Sequence, residues 1–434
     1  MATVCAKVLK HHKKVDGSYN VKVRIIHNRE KRYIDTEHFV TDKQLSKNMA
    51  IKDPIVNRLV NRQVDEYRVA ISELGEKLTF FSAEMLRDYL SNKNEEIDFV
   101  KFCDDHISQL KNDKRDGTAA NHTTVRNSLV DYFNREKVSV FEITASMLKL
   151  YEGFLRGKRS IVRINHLNRE VSTKSKGVSD SGIYNYMRDL RTLFNAAREK
   201  FNDEELGIIR IPHYPFKKYK VGTPPATRKR NITLTQLVRL RDCKTVPGSR
   251  AELAKEMFML SFYLCGINAV DIYNISRSNI INGRLEYNRC KTVRRRKDNA
   301  FISIKLVDEA APLVEKYIEK MSSRYSTSKG FDGALSKGMK DLRIITNIRD
   351  ITFYWARHSF ANCARNDCKV SKDDIALSLN HIDNGHRTTD IYLSKDWKII
   401  DDVQLKVNKL LKKTAAKLRK QAAIAAKSKD NMTH

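Results

Sequence analysis

No stretch of this 434-residue chain approaches the roughly 18 consecutive apolar residues that a membrane-crossing helix needs, and none is expected to span a bilayer. The start, "MATVCAKVLKHHKK", lacks the apolar run of a secretory signal, which leads to the expectation of a cytoplasmic protein. Cysteine is sparse and unpaired in pattern: seven residues, an odd number, with no CxxC. That argues against a disulfide framework and for a reducing compartment. Cys363 and Cys368, the closest two, are poorly spaced for a structural zinc site, so no metal is expected. No internal repeat is visible. Proline is scarce too, and four of the seven fall at Pro212, Pro215, Pro224 and Pro225, ahead of "ATRKR". Such a stiff, charged stretch reads as a linker.

Acidic residues are outnumbered. Lysine and arginine total 82 against 52 aspartate and glutamate, a formal charge of +30 with pI near 9.8. This exceeds what solubility asks for, and it favours a polyanionic partner, nucleic acid above all. The length suggests roughly two to four compact units. Val21, Val23 and Ile25 alternate with Lys22 and Arg24, the period of a strand with one buried and one basic face, and "TVCAKVLKHH" and "KRYIDTEHFV" flank it as further strands. A helical pattern follows from Pro54 to about Leu90. From Ile97 onward the spacing is helical, as in Ile183, Met187, Leu190, Phe194 and Ala197, with Arg188, Arg191 and Arg198 off the apolar stripe. Beyond the linker, "ITLTQLVRLRD" opens a third unit that runs to about Leu411.

Four short signals fall in order in that third unit. A helix ends at Gly266 and "GINAVDIYNI" starts another; "RLEYNRCKTVRRRKDNAFISIKL" reads as two strands flanking a basic turn; then come "FYWARHSFAN" and "SLNHIDNGHRTTDIYLSKDW". Taken singly, each has an ordinary alternative. Arg357 could pair with Asp374, His381 could be satisfied by backbone carbonyls at a helix end, and Tyr392 could be a half-buried core residue. Trp355 and Phe360 read as core, and His358 as packed locally.

The order resembles that of the tyrosine recombinase (phage integrase) superfamily, and most closely the Bacteroidetes-type integrases of conjugative transposons and prophages. On that resemblance Lys291 matches the strand lysine, with Lys297 as runner-up; Arg357 matches the second arginine, and His381 the histidine of Gly-His, with His386 as rival. Tyr392 in "TTDIYL" matches the nucleophile. Asn268 stands where the first arginine would be, Tyr354 where the histidine of His-x-x-Arg would be, and Asp271 matches the acidic residue that follows the first arginine. The interval from His381 to Tyr392 is a little longer than usual for the family.

The chemistry wants these residue types. Cleaving a phosphodiester without metal needs cations on the nonbridging oxygens, a tyrosine to store the bond as a phosphoester, and a proton donor for the leaving 5′ oxygen. The resemblance implies a multidomain α+β protein: an arm-binding domain of sheet plus helix over 1–94, an all-helical, SAM-like core-binding domain over 95–222, and a mainly α catalytic domain with a small β-sheet over 223–412. A basic tail would follow over 413–434, either extending a helix or staying disordered. It implies double-stranded DNA as partner, assembly as a tetramer on attachment sites, accessory DNA-bending or excision factors, nucleoid association, and no cofactor. Lys22, Arg24, Arg188, Arg191, Arg294, Arg295 and Arg296 are the expected DNA contacts, and any of the last three could replace the missing first arginine. The apolar stripe Ile399, Val403, Val407 and Leu410/Leu411 could dock on its own domain or on a neighbour. A type IB topoisomerase and a catalytically inactive DNA-binding factor are the alternatives.

Overall fold

A computed structural model describes residues 2–93, 95–164, 167–226, 230–381 and 394–430. The side chains of Arg295 and of residues 426–430 lie outside the description, as do Tyr392 and His386. The chain forms two compact units, Met1–Ala226 and Thr227–His434.

In the first unit β1 (Thr3–Lys13), β2 (Ser18–His27) and β3 (Glu30–Thr41) make an antiparallel meander in the order β1-β2-β3. The first turn forms because the Asp16 carboxylate accepts the Ser18 amide at 2.9 Å while Gly17 takes φ +82°. Val21, Val23 and Ile25 are buried and the residues between them are turned to the other face. Two helices cover the apolar face. Asp53 caps α1 (Pro54–Leu74) by accepting the amides of Ile55 and Val56, and Pro54 supplies a preset first position. α1 buries Val60, Val64, Tyr67, Ala70 and Leu74, and α2 (Ala83–Asn92), capped by Ser82, buries Leu86 and Leu90.

A second hydrophobic cluster holds α3 (Phe99–Asn112), α4 (Asp116–Phe133), α5 (Ala145–Arg156) and α6 (Asp180–Phe201). Between α5 and α6 the charged stretches "GKRSIVR" and "STKSK" form a two-stranded ribbon, β4 (Arg159–Ile164) paired with β5 (Glu170–Ser175). The Arg163 guanidinium holds the ribbon to the Asp131 carboxylate of α4. A short pair, β6 (Asn202–Asp203) with β7 (Ile208–Ile209), follows α6.

The second unit is built around α8 (Arg250–Tyr263), apolar on nearly all sides and accordingly central. α7 (Leu234–Asp242) precedes it behind a capping box of Thr233 and Gln236. After α9 (Ala269–Asn274), β8 (Ile280–Ile281), β9 (Arg284–Asn288) and β10 (Phe301–Lys305) form an antiparallel sheet in the order β10-β9-β8. α10 (Ala311–Tyr317), α11 (Lys320–Arg324), α12 (Ser328–Thr346), α13 (Trp355–Asn362), α14 (Lys372–Ser378) and α15 (Trp397–Asp430) complete it. α15 continues through residue 412 as one helix, so the tail extends a helix as far as Asp430. Of its expected stripe, Val403, Val407 and Leu411 are buried in the core of its own unit, joined by Ile400 rather than Ile399, which is only partly buried.

Candidate active site

The site begins where α8 ends. Cys265 and Gly266 take φ +56° and +78°, turning the chain so that α9 starts with Asn268 at its N-cap. A Cβ on Gly266 would lie 2.7–2.9 Å from Cγ, Cα and Cβ of Arg357, so only glycine lets the backbone pass this close to α13. The Gly266 carbonyl accepts from Arg357 Nη1 at 2.9 Å; Nη2 donates to the Leu379 carbonyl and, at 2.9 Å, to His381 Nε2. Arg357 is thus 6% exposed, held by carbonyls and an imidazole rather than by Asp374, and its Nε is buried without a partner among the described residues. Burial, then the charge of Arg289, lowers its pKa to about 10. It remains a cation at neutral pH.

His381 follows α14. Burial, then Arg357, Arg289 and Lys291, lowers its pKa to about 4, so the imidazole is neutral near pH 7. Because a guanidinium can only donate, Nε2 accepts and the ring proton sits on Nδ1. Tyr354, 45% exposed at the start of α13, packs edge-on against His358 with ring centroids 5.0 Å apart.

An open cleft of about 560 Å³ is lined by Asn268, Lys291, Tyr354 and Arg357, together with Ser328, Lys329 and Asp332 of α12. Four sequence-separated signals therefore meet in one place. Lys291 is exposed in the turn after β9 rather than on the strand, and Lys297 is not among the lining residues. Asn268 donates weakly to Asp271, at 3.3 Å, and Asp271, 2% exposed, accepts the Cys290 amide at 2.9 Å, tying α9 to the end of β9. Tyr392 and His386 lie outside the described residues.

Arg289 is the residue that sequence reasoning passed over. It is 6% exposed, its Nη1 donates to the Asn380 carbonyl at 3.2 Å, its Nε has no partner among the described residues, and its charge depresses both Arg357 and His381. The signal was parity. Leu285 and Tyr287 turn inward on β9, and the same alternation carried on puts Arg289 on the inner side.

The expected DNA contacts are scattered. Lys22 and Arg24 lie on the face of β2 away from the core, Lys22 paired with Asp35 and Arg24 within 3.4 Å of Cys5 Sγ. Arg188 pairs with Asp189 at 2.8 Å, whereas Arg191 and Arg294 are exposed. The Arg295 side chain is outside the description. Arg296 faces inward, its side chain 7% exposed, bound to Asp298 and Asn380.

Residues 98–221 match the family model of the phage integrase SAM-like domain. Among curated proteins, the pyruvate dehydrogenase E1 component of Mycobacterium tuberculosis is 25% identical over 152 residues, 33% of this chain; the match spans only 16% of that protein. A lambda integrase tetramer bound to a Holliday junction is similar over 87% of this chain and 93% of its own, at 12% identity and TM-score 0.47. A lambda integrase dimer bound to a COC′ core site is similar over 90% of this chain and 96% of its own, at 14% identity and TM-score 0.45. Likeness this remote says nothing by itself about activity. What the family model shows is a likeness of residues 98–221 to the phage integrase SAM-like domain.

Proposed function

We propose that the chain is a tyrosine recombinase, an integrase that cuts and rejoins double-stranded DNA through a covalent 3′-phosphotyrosyl intermediate and so moves a mobile element of the conjugative-transposon or prophage kind. One arrangement carries this reading: a buried, charged arginine, held by two carbonyls and a neutral histidine, at a cleft that also gathers Lys291, Tyr354 and Asn268. Arg357 needs little reorganisation to stabilise charge building on a scissile phosphate, and Arg289 adds a second buried cation where Asn268 supplies none. His381 can donate its Nδ1 proton at the same phosphate, and Tyr354 can donate its hydroxyl from the rim. Lys291, exposed on a turn, suits the protonation of the leaving 5′ oxygen. Tyr392, from its place in "TTDIYL", is the nucleophile.

The phosphate bond stored on Tyr392 passes to a second strand, so no nucleotide or other cofactor is called for. Exchange between two duplexes requires several protomers, in the simplest case a tetramer, at attachment sites in the nucleoid; accessory DNA-bending or excision factors would set direction. Lys22, Arg24, Arg188, Arg191 and Arg294 are its candidate phosphate contacts, spread from the sheet of residues 1–94 through the helices of 95–222 to the catalytic unit.

The decisive experiment traps the protein on a nicked duplex. An adduct that survives denaturant and is absent from Tyr392→Phe supports the enzyme. Asn268 in place of an arginine favours one second reading, a DNA-binding factor without catalysis, and a mobility shift with no adduct would select it.

A further inference from the structure

The loop between β9 and β10, residues 289–300, carries Lys291, Arg296, Asp298 and Ala300, and it bonds to residues on either side of 382–393 in the sequence. On the near side is Asn380, the residue before His381. It is 7% exposed and takes a left-handed backbone, φ +50°. Its Oδ1 accepts from Arg296 Nη1 at 2.6 Å, its carbonyl accepts from the same nitrogen and from Arg289 Nη1, both at 3.2 Å, and its Nδ2 donates to the Ala300 carbonyl at 2.8 Å. Every polar atom of its side chain is spent on this loop. On the far side is Lys395, whose ammonium donates to Asp298. Asp298 in turn accepts from Arg296 Nε at 2.7 Å and from the Ala300 amide at 3.1 Å. Packing reinforces the far tie, since Phe301 meets Trp397 edge-on at 5.6 Å and the Lys395 ammonium lies 5.8 Å from the Trp397 ring.

We propose that Arg296 and Asp298 are positioning residues of the cleavage site: a two-residue clamp that fixes the Asn380–His381 end and the Lys395 end of the chain to the same loop that presents Lys291. Arg296 is the hinge of the clamp because it bonds Asn380 with one nitrogen and Asp298 with the others; a lysine, with a single donor centre, could not span both. The same bonds hold the Asp298 carboxylate well below the usual range, Arg296 contributing most and Lys395 next among the ion partners. The alternative role for Arg296, a direct phosphate contact, fits poorly with a side chain that is 7% exposed and already bonded to a carboxylate and an amide.

This inference rests on the recombinase reading, and the test separates the two. With the full-length chain and a nicked core-site duplex, the wild type must form an adduct that Tyr392→Phe lacks; if it does not, the recombinase reading itself fails and the clamp falls with it. Given that adduct, Arg296→Ala and Asp298→Ala should slow its formation roughly ten- to a hundredfold, the scale on which small misplacements of reacting groups act. DNA affinity and its salt slope should stay at wild-type values. Lys395→Ala should slow cleavage too, and Asp298→Ala combined with Lys395→Ala should cost less than the product of the single losses, because the two share one link. Lys395→Arg should restore most of the rate, and Arg296→Lys should not. Should Arg296→Ala lower the melting temperature by itself, the partly exposed pair Asp298 and Lys395 still decides the matter through its double-mutant cycle. Wild-type cleavage in Asp298→Ala, fully multiplicative losses, or a loss that tracks weaker DNA binding would overturn the clamp.

Discussion

Gly266 and Arg357 contest the same few cubic ångströms, and that contact ties the glycine to the candidate site. Gly266→Ala must place a methyl group against the arginine side chain at φ +78°, and overpacking of this kind costs about 1–3 kcal/mol. We expect it to lower the melting temperature and to abolish the covalent adduct, which a melt and a trapping gel on the same preparation would read. Arg357→Ala should also eliminate the adduct, and Arg289→Ala should cost on the order of a hundredfold, the usual scale for removing a donor from developing charge. Asn268→Ala should cost much less, because the side chain is neutral and, among the described residues, its amide is engaged only in the long hydrogen bond to Asp271. If Arg289→Ala cleaves like the wild type while Asn268→Ala is dead, the second cation has been misassigned. His381 gives a pH test. Its folded pKa, about 4, lies below the ordinary 6.5, so the unfolded chain binds the extra proton and the associated stability is lost as pH falls from about 6.5 towards 4. His381→Gln should therefore lose less melting temperature over that interval than the wild type. Equal losses would show that the imidazole is not held neutral.

Elements were legible where one period served one face. The alternation of Val21, Val23 and Ile25, and the helical stripe through Ile183, Met187, Leu190 and Phe194, reappear as buried faces of β2 and α6. The β4–β5 ribbon was not legible, because both of its faces are largely exposed and its residues carry charge where a strand pattern would need alternation. For α15 the stripe was visible from Val403 to Leu411, its start was off by one residue, Ile399 for the buried Ile400, and its destination was not visible: periodicity says that a face is buried, not against what. Packing between α8 and α12 depends on a residue with no pattern at all. A Cβ on Gly338 would lie 2.0 Å from the Arg250 carbonyl and 2.7 Å from Ala254 Cβ. Gly338→Val should therefore push the helices apart and destabilise by at least about 1–3 kcal/mol in denaturant titration; an unchanged midpoint would mean that the two helices are not in close contact.

For the molecule as a whole, the charge of +30 predicts steep salt dependence of DNA binding, with each phosphate contact adding about −0.9 to the slope of log affinity against log salt. A nearly flat response between low and physiological salt would contradict a nucleic-acid partner. No helix among the described residues is long and apolar enough to cross a membrane. Net charge, strand and helix periods, the proline-rich break after Pro212 and the order of the motifs from Gly266 to Lys395 are one-dimensional properties, and the amino-acid sequence determined them alone. Arg289 as a second buried cation, Arg296 turned inward to Asp298 and Asn380, and His381 held neutral by its surroundings were decided only by tertiary structure. Each depends on groups far apart in the chain, Arg357 from Gly266 by 91 residues and Arg296 from Asn380 by 84, brought together by the packing of α8, α13 and the β9–β10 sheet. Burial, and with it the protonation state and the pairing of every charge, is a property of that packing, so residue types that read alike in "RCKTVRRRK" end in different roles.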